Sequence, residues 1–208
     1  MTQGTRTPLE GIDGLTRIET TPFAELVPLV YSMTKESYPH DEVYGQFCCV
    51  QSFIAAPPKF VFDYMAPVES LEEWTYSLRE MGPTEQPGVV VGRDTIGPDT
   101  RIWCRSVANP EALTVDYHCA WDQGDHLWMI YLNRIVDAQL VFNRPGSVVF
   151  WQNCRHPFYD ENPFPEAAPP SRPMWVGDIW RAFYAGHLLE LQNLKRIVEH
   201  RYAEARSA

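Results

Sequence analysis

Apolar positions along the chain change their period from helix-like to strand-like and back, and the elements follow from those changes. The stretch "TTPFAELVPLVYSMTKE" predicts a short helix opened by Thr21, with Pro22 at its first position and an end or kink at Pro28. "EVYGQFCCVQSFIAA" predicts a first strand. Pro57 and Pro58 stop it, because proline supplies no ladder donor and fixes its own φ. A helix is expected from Lys59 to about Met65, with Phe60, Val61 and Tyr64 on one side. "VESLEEWTYSLREM" continues helically, with Leu71, Trp74, Leu78 and Met81 at spacings of three and four. After the turn "GPTEQPG" the pattern becomes β, with runs "VVVGRDTI", "RIWCRSVA", "ALTVDYHCAW", "HLWMIYLNRIV" and "SVVFWQNCRH". Their short Gly, Pro, Asn and Asp connections imply an antiparallel meander. "PFYDENPFPEAAPPSRP" is too proline-rich for helix or strand. A loop longer than about 12 residues in a compact domain is usually a lid, a binding loop or disordered. The last segment, from about Asp178 to Ala205, predicts one long helix capped by Asp178, with Phe183, His187, Glu190, Leu194 and Val198 on one face.

This order defines an α+β, helix-grip arrangement: a curved antiparallel sheet wrapped around a long C-terminal helix, with an internal cavity between them. "FIAAPPKFVFDYMAPVESLEEWT" resembles the opening signature of the SRPBCC superfamily, also called START-like or polyketide-cyclase-like: a strand, an A-P-P break, V-F on the first helix and a Trp shortly after. The resemblance covers roughly residues 43–204, by motif in the first third and by order of elements beyond it. It implies a helix-grip ligand-binding domain over residues 43–208, preceded by an N-terminal extension, 1–42, that carries a short helix. Two features depart from the minimal family pattern, this extension and a proline-rich insertion at about 158–173, and either is placed to cover the cavity mouth. The resemblance implies a fold and a hydrophobic cavity, and not a reaction.

Length and charge narrow the classes. At 208 residues the chain fits one domain with a core of its own. The formal net charge of -10 argues against a nucleic-acid partner, which would want clustered Lys and Arg. The start "MTQGTRTPLEGIDG" lacks the apolar core of a secretory signal, and no window approaches the roughly 18 apolar residues of a membrane span, so a cytoplasmic protein is expected. The five cysteines fall in apolar strand-like runs without C-x-x-C spacing and are expected to be buried free thiols. There is no G-x-S-x-G and no Gly-rich phosphate loop. The sequence leaves a homodimer open.

Candidate chemistry rests on histidines. If "DQGD" closes a regular hairpin, His118 shares a face with Asp116, Met129, Tyr131 and Asn133, and extending the register through "NRPG" brings His156 opposite Asn133 on that same face. His187 lies on the apolar side of the last helix one turn before Glu190. One arrangement therefore has His118, His156 and His187 converging, with Glu190 or Asp116 beside them. With a metal, three imidazoles and a carboxylate hold zinc or iron with an open position; without one, a histidine near its ordinary pKa moves a proton on an enolisable carbon. The plainer reading has His118 and His156 facing water and His187 as a core histidine. Trp128, Tyr131, Trp180, Phe183 and Tyr184 are the expected binding surface for an aromatic or apolar small molecule. The leading expectation is a biosynthetic enzyme of the polyketide-cyclase type, a cyclase/dehydratase-like lyase or isomerase, with His187, Glu190, His118 and His156 as its acid-base groups. The alternatives are a non-catalytic carrier of an apolar ligand and a zinc- or iron-dependent enzyme with the three-His site. The cofactor stays open between none and one of these metals.

Overall fold

The computed structural model describes residues 9, 11–37, 47–97, 99–124, 126–171 and 174–207. The predicted start of the first strand, residues 43–46, lies outside them. Strand β1 (Phe47–Ile54) turns Cys48, Val50 and Ile54 inward. Pro57, at φ -61 and ψ 149, ends it and starts helix α2 (Pro58–Met65). The helix buries Val61, Phe62 and Met65, whereas Phe60 packs on Tyr202 and the Tyr64 hydroxyl donates to Glu73. Helix α2 lies across one end of the sheet, where its Met65 carbonyl accepts from the Tyr117 hydroxyl at 2.7 Å.

Two helical expectations change. Helix α1 (Phe23–Ser37) runs on through Pro28 instead of stopping there. The helical segment beyond Val68 ends after the single turn of α3 (Leu71–Trp74): Thr75 is extended, its hydroxyl bonds the Leu71 carbonyl at 2.6 Å, and Leu78–Pro83 is strand β2. Leu78 and Met81 keep a helical spacing of three, but the next strand, β3 (Val90–Asp94), offers this backbone ladder partners, as in the pair Leu78↔Asp94, and a bulge between Arg79 and Gly82, with Glu80 at φ 59, takes up that spacing.

The remaining strands are β3 (Val90–Asp94), β4 (Arg101–Asn109), β5 (Thr114–Trp121), β6 (Met129–Asp137) and β7 (Ser147–Cys154). A short helix, α4 (Ala138–Phe142), joins β6 to β7, capped by Asp137, whose carboxylate accepts from the Gln139 N–H. The seven strands form one antiparallel sheet in the order β1-β7-β6-β5-β4-β3-β2. Cys48, Cys104 and Cys119 are buried, but Cys49 and Cys154 point outward, because strand alternation overrides the apolar character of their runs.

A 3-10 turn (Val176–Ala182) leads into the 25-residue helix α5 (Phe183–Ser207). Asp178 therefore caps one turn earlier than expected: its carboxylate accepts from the Trp175 N–H at 2.8 Å. Helix α5 lies against β1 and α1 and buries Leu191, Leu194, Ile197 and Val198. The result is an α+β helix-grip fold. Among the described residues no helix is long and apolar enough to cross a membrane.

Candidate active site

Between the concave face of the sheet, α5 and α1 lies a mostly apolar cavity of about 180 Å³. Tyr117 and Cys119 of β5, Met129 and Tyr131 of β6 and Trp151 of β7 form its floor. Phe183, His187 and Glu190 of α5 face them, and Leu26, Val30 and Tyr31 of α1 close one side. An apolar cavity of about 150 Å³ takes one benzene ring. The space therefore suits a single substituted ring.

His187 is buried and packed against three aromatic rings. Trp151 stacks on its ring at 4.3 Å, Tyr131 meets it edge-on at 5.6 Å, and Phe183 packs at 4.9 Å. Its Nδ1 lies 3.7 Å from the Cys48 Sγ. Burial away from water disfavours the imidazolium and lowers the His187 pKa to about 3. The same burial pushes the Cys48 thiol up to about 12, so both partners of this contact are neutral at pH 7.

Glu190 follows one helical turn later and also borders the cavity. Desolvation raises its pKa to about 7, opposed by the Tyr76 N–H, which donates to its Oε1 at 2.7 Å, and reinforced by the charge of Asp94. Asp94 is itself buried beside the cavity, raised by desolvation and partly compensated by the Ile96 N–H at 3.1 Å. Arg79 stands near both carboxyls but is committed to Glu19 and to backbone carbonyls, including that of Tyr76. Asn153 Nδ2 donates to the Tyr159 hydroxyl at 3.2 Å. Burial raises the Tyr131 pKa, so it stays a phenol.

The three histidines do not converge. Tyr117 pairs with Tyr131, His118 with Ile130 and Cys119 with Met129, a register one residue away from that of a tight "DQGD" hairpin. Met129 and Tyr131 thus share the cavity face with Tyr117 and Cys119, and His118 points to the opposite side with Asp116. Its pKa is lowered by burial and by Arg105, its partner across β4. The cause of the shift in register is the long connection from Asp122 to Trp128, in which Asp122 (φ 52) and Gly124 (φ 60) turn left-handed before β6 begins. His156 lies past the end of β7, where its Nδ1 accepts from the Phe158 N–H at 3.1 Å and its ring packs on Trp128. Among the described residues no group of three or more His, Cys, Asp or Glu side chains could hold a metal ion.

Of the expected aromatic surface, Tyr131 and Phe183 border the cavity. Trp180 is buried behind Phe183 and Tyr159, and Tyr184 packs at the edge of the core. Trp128 belongs to a cluster with Tyr159, Phe158 and Trp175 that clasps the proline-rich segment. Trp175 donates from its indole to the Phe158 carbonyl at 2.7 Å and meets the cavity residue Trp121 edge-on at 6.3 Å. The sequence reading missed Asp94. Its signal was its parity with Val90, which put a carboxylate on the buried face of β3.

No family model matches the chain, and no curated protein matches it. Solved structures do. An uncharacterized protein from Bacillus thuringiensis is 13% identical, with a TM-score of 0.50, over 73% of this chain and 98% of its own. The protein XoxI from Bacillus cereus is 13% identical, with a TM-score of 0.50, over 77% and 98%. The Zhui aromatase/cyclase from Streptomyces sp. R1128 is 17% identical, with a TM-score of 0.48, over 75% and 94%. At these identities the likeness concerns the fold alone.

Proposed function

We propose that this protein is a cytoplasmic small-molecule enzyme on an SRPBCC-like fold, related in type to the polyketide cyclases. It takes a compact aromatic or apolar substrate of about one ring into the cavity and moves a proton on an enolisable carbon. The observation that carries this reading is Glu190, a carboxyl in an apolar cavity with its pKa brought to about 7. A group poised near neutrality both takes and returns a proton, which is what enolisation, dehydration or cyclisation of a carbonyl compound requires. His187, neutral at this pH, serves as a hydrogen-bonding group and not as the base, while Tyr131 and Phe183 hold the ring. His118 and His156 have no part in this chemistry. Helix α1 and the proline-rich insertion act as covers over the same domain. A carrier of an apolar ligand has no use for a buried Asp94 and a half-buried Glu190 beside its cavity, since each imperfectly paired group costs about 1–3 kcal/mol.

The test is exchange of the methyl protons of acetophenone in deuterated buffer, followed by proton NMR. The wild-type protein is expected to catalyse the exchange and Glu190→Gln to slow it by about 100-fold or more, with binding retained. Binding of the ketone without exchange would instead make the protein a carrier.

A further inference from the structure

We infer that Cys48 is a positioning residue that locks His187 in the tautomer carrying its proton on Nε2, so that the cavity presents a fixed hydrogen-bond donor and selects ligands with an acceptor oxygen, of which an aryl ketone is the simplest. This inference rests on the proposed site and names the class of molecule it takes.

The argument starts from β1. Strand alternation turns Cys48 inward, beneath α5, where its Sγ meets His187 Nδ1 at 3.7 Å. A thiol at this buried position keeps its proton, and an imidazole nitrogen is a better acceptor than sulfur, so the S–H donates to Nδ1. In a neutral imidazole one nitrogen accepts and the other donates. Nδ1 accepts from Cys48; the proton is therefore on Nε2. The ring cannot turn to exchange the two, because Trp151 is stacked on it at 4.3 Å and Tyr131 and Phe183 abut it. His187 borders the cavity, and with Nδ1 taken by Cys48, Nε2 is the nitrogen left to the ligand. A neutral donor polarises a carbonyl oxygen without first having to lose a proton, and the Glu190 carboxyl lies one helical turn away to act on the adjacent carbon.

Two measurements decide it. The ring nitrogens of His187, observed by long-range proton–nitrogen correlation at pH 7, report the tautomer without any ligand or turnover. The wild-type protein and Cys48→Ser are expected to show protonated Nε2 and bare Nδ1, and Cys48→Ala a mixture of both forms. A wild-type ring protonated on Nδ1, or an unchanged tautomer in Cys48→Ala, would overturn the inference even if exchange activity were present. The second measurement compares acetophenone with ethylbenzene, of similar shape but lacking the oxygen. The ketone is expected to bind the wild-type protein about tenfold tighter, a preference that shrinks in Cys48→Ala and returns in Cys48→Ser. Equal affinity for the two, or binding of neither, would overturn the ligand class. Loss of exchange with the tautomer and the preference intact would instead count against the enzymatic reading alone.

Discussion

Replacing Glu190 by glutamine should change how stability depends on pH, by an amount that follows from the cavity. In the unfolded chain Glu190 titrates near 4.5, and in the folded protein at about 7. Between these values the folded state holds a proton that the unfolded state has released, so this group's contribution to stability is fully present below 4.5 and is lost as pH rises through 7. At about 1.4 kcal/mol for each pH unit, the loss amounts to about 3 kcal/mol. Glutamine keeps the acceptor for the Tyr76 N–H but cannot ionise. Urea unfolding of both proteins at pH 4.5 and pH 7.5 should therefore show the variant gaining about 3 kcal/mol relative to wild type across that interval. His187 works in the opposite sense. Its folded pKa of about 3 lies below the unfolded 6.5, so its contribution is present above 6.5 and is lost as pH falls through 3. Between 4.5 and 6.5 the two slopes cancel in the wild type, and removing Glu190 exposes the rise due to His187. A stability difference between Glu190→Gln and wild type that is the same at both pH values would refute the raised pKa of this carboxyl.

Three further outcomes follow from the packing. A Cβ at Gly177 would lie 1.5 Å from the Tyr159 carbonyl oxygen, so Gly177→Ala should lower stability by at least about 3 kcal/mol, read by chemical denaturation; an unchanged midpoint would contradict this close approach. Glu73 accepts from the Tyr64 hydroxyl at 2.7 Å and from Arg201 at 2.8 Å, so Glu73→Ala, which leaves the hydroxyl and the guanidinium without that carboxylate, should cost about 3–5 kcal/mol, and a loss below about 1 kcal/mol would show the pair to be solvated. Limited proteolysis between residues 160 and 171 should slow in saturating acetophenone, because Trp175 ties this segment to the cavity residue Trp121; unchanged cleavage would remove the segment from the cavity mouth.

How far the site was legible in the chain depends on which physical constraint placed each residue. Pro57 and Pro58 act locally, so the turn from β1 into α2 follows from the sequence alone, and so does the long amphipathic α5. His187 and Glu190 share one helix, and their spacing of three residues needs no other element to bring both to the cavity. Leu78 and Met81 keep a helical spacing of three, and the strand takes them only through a bulge between Arg79 and Gly82, with Glu80 at φ 59, so pairing with the following strand β3 overrides the local period. The cross-strand placement of His118 depended on the parity of one loop. A single residue in the Asp122–Trp128 connection exchanges the faces of β6, which puts Met129 and Tyr131 in the cavity and leaves His118 outside it. Cys48 and His187 are 139 residues apart, and their contact exists because the sheet carries β1 beneath α5. The chemistry proposed for this cavity therefore joins a helical pair that local spacing defines to a thiol that only the tertiary fold supplies, and the tautomer of His187 is the measurement in which the second part shows itself separately from the first.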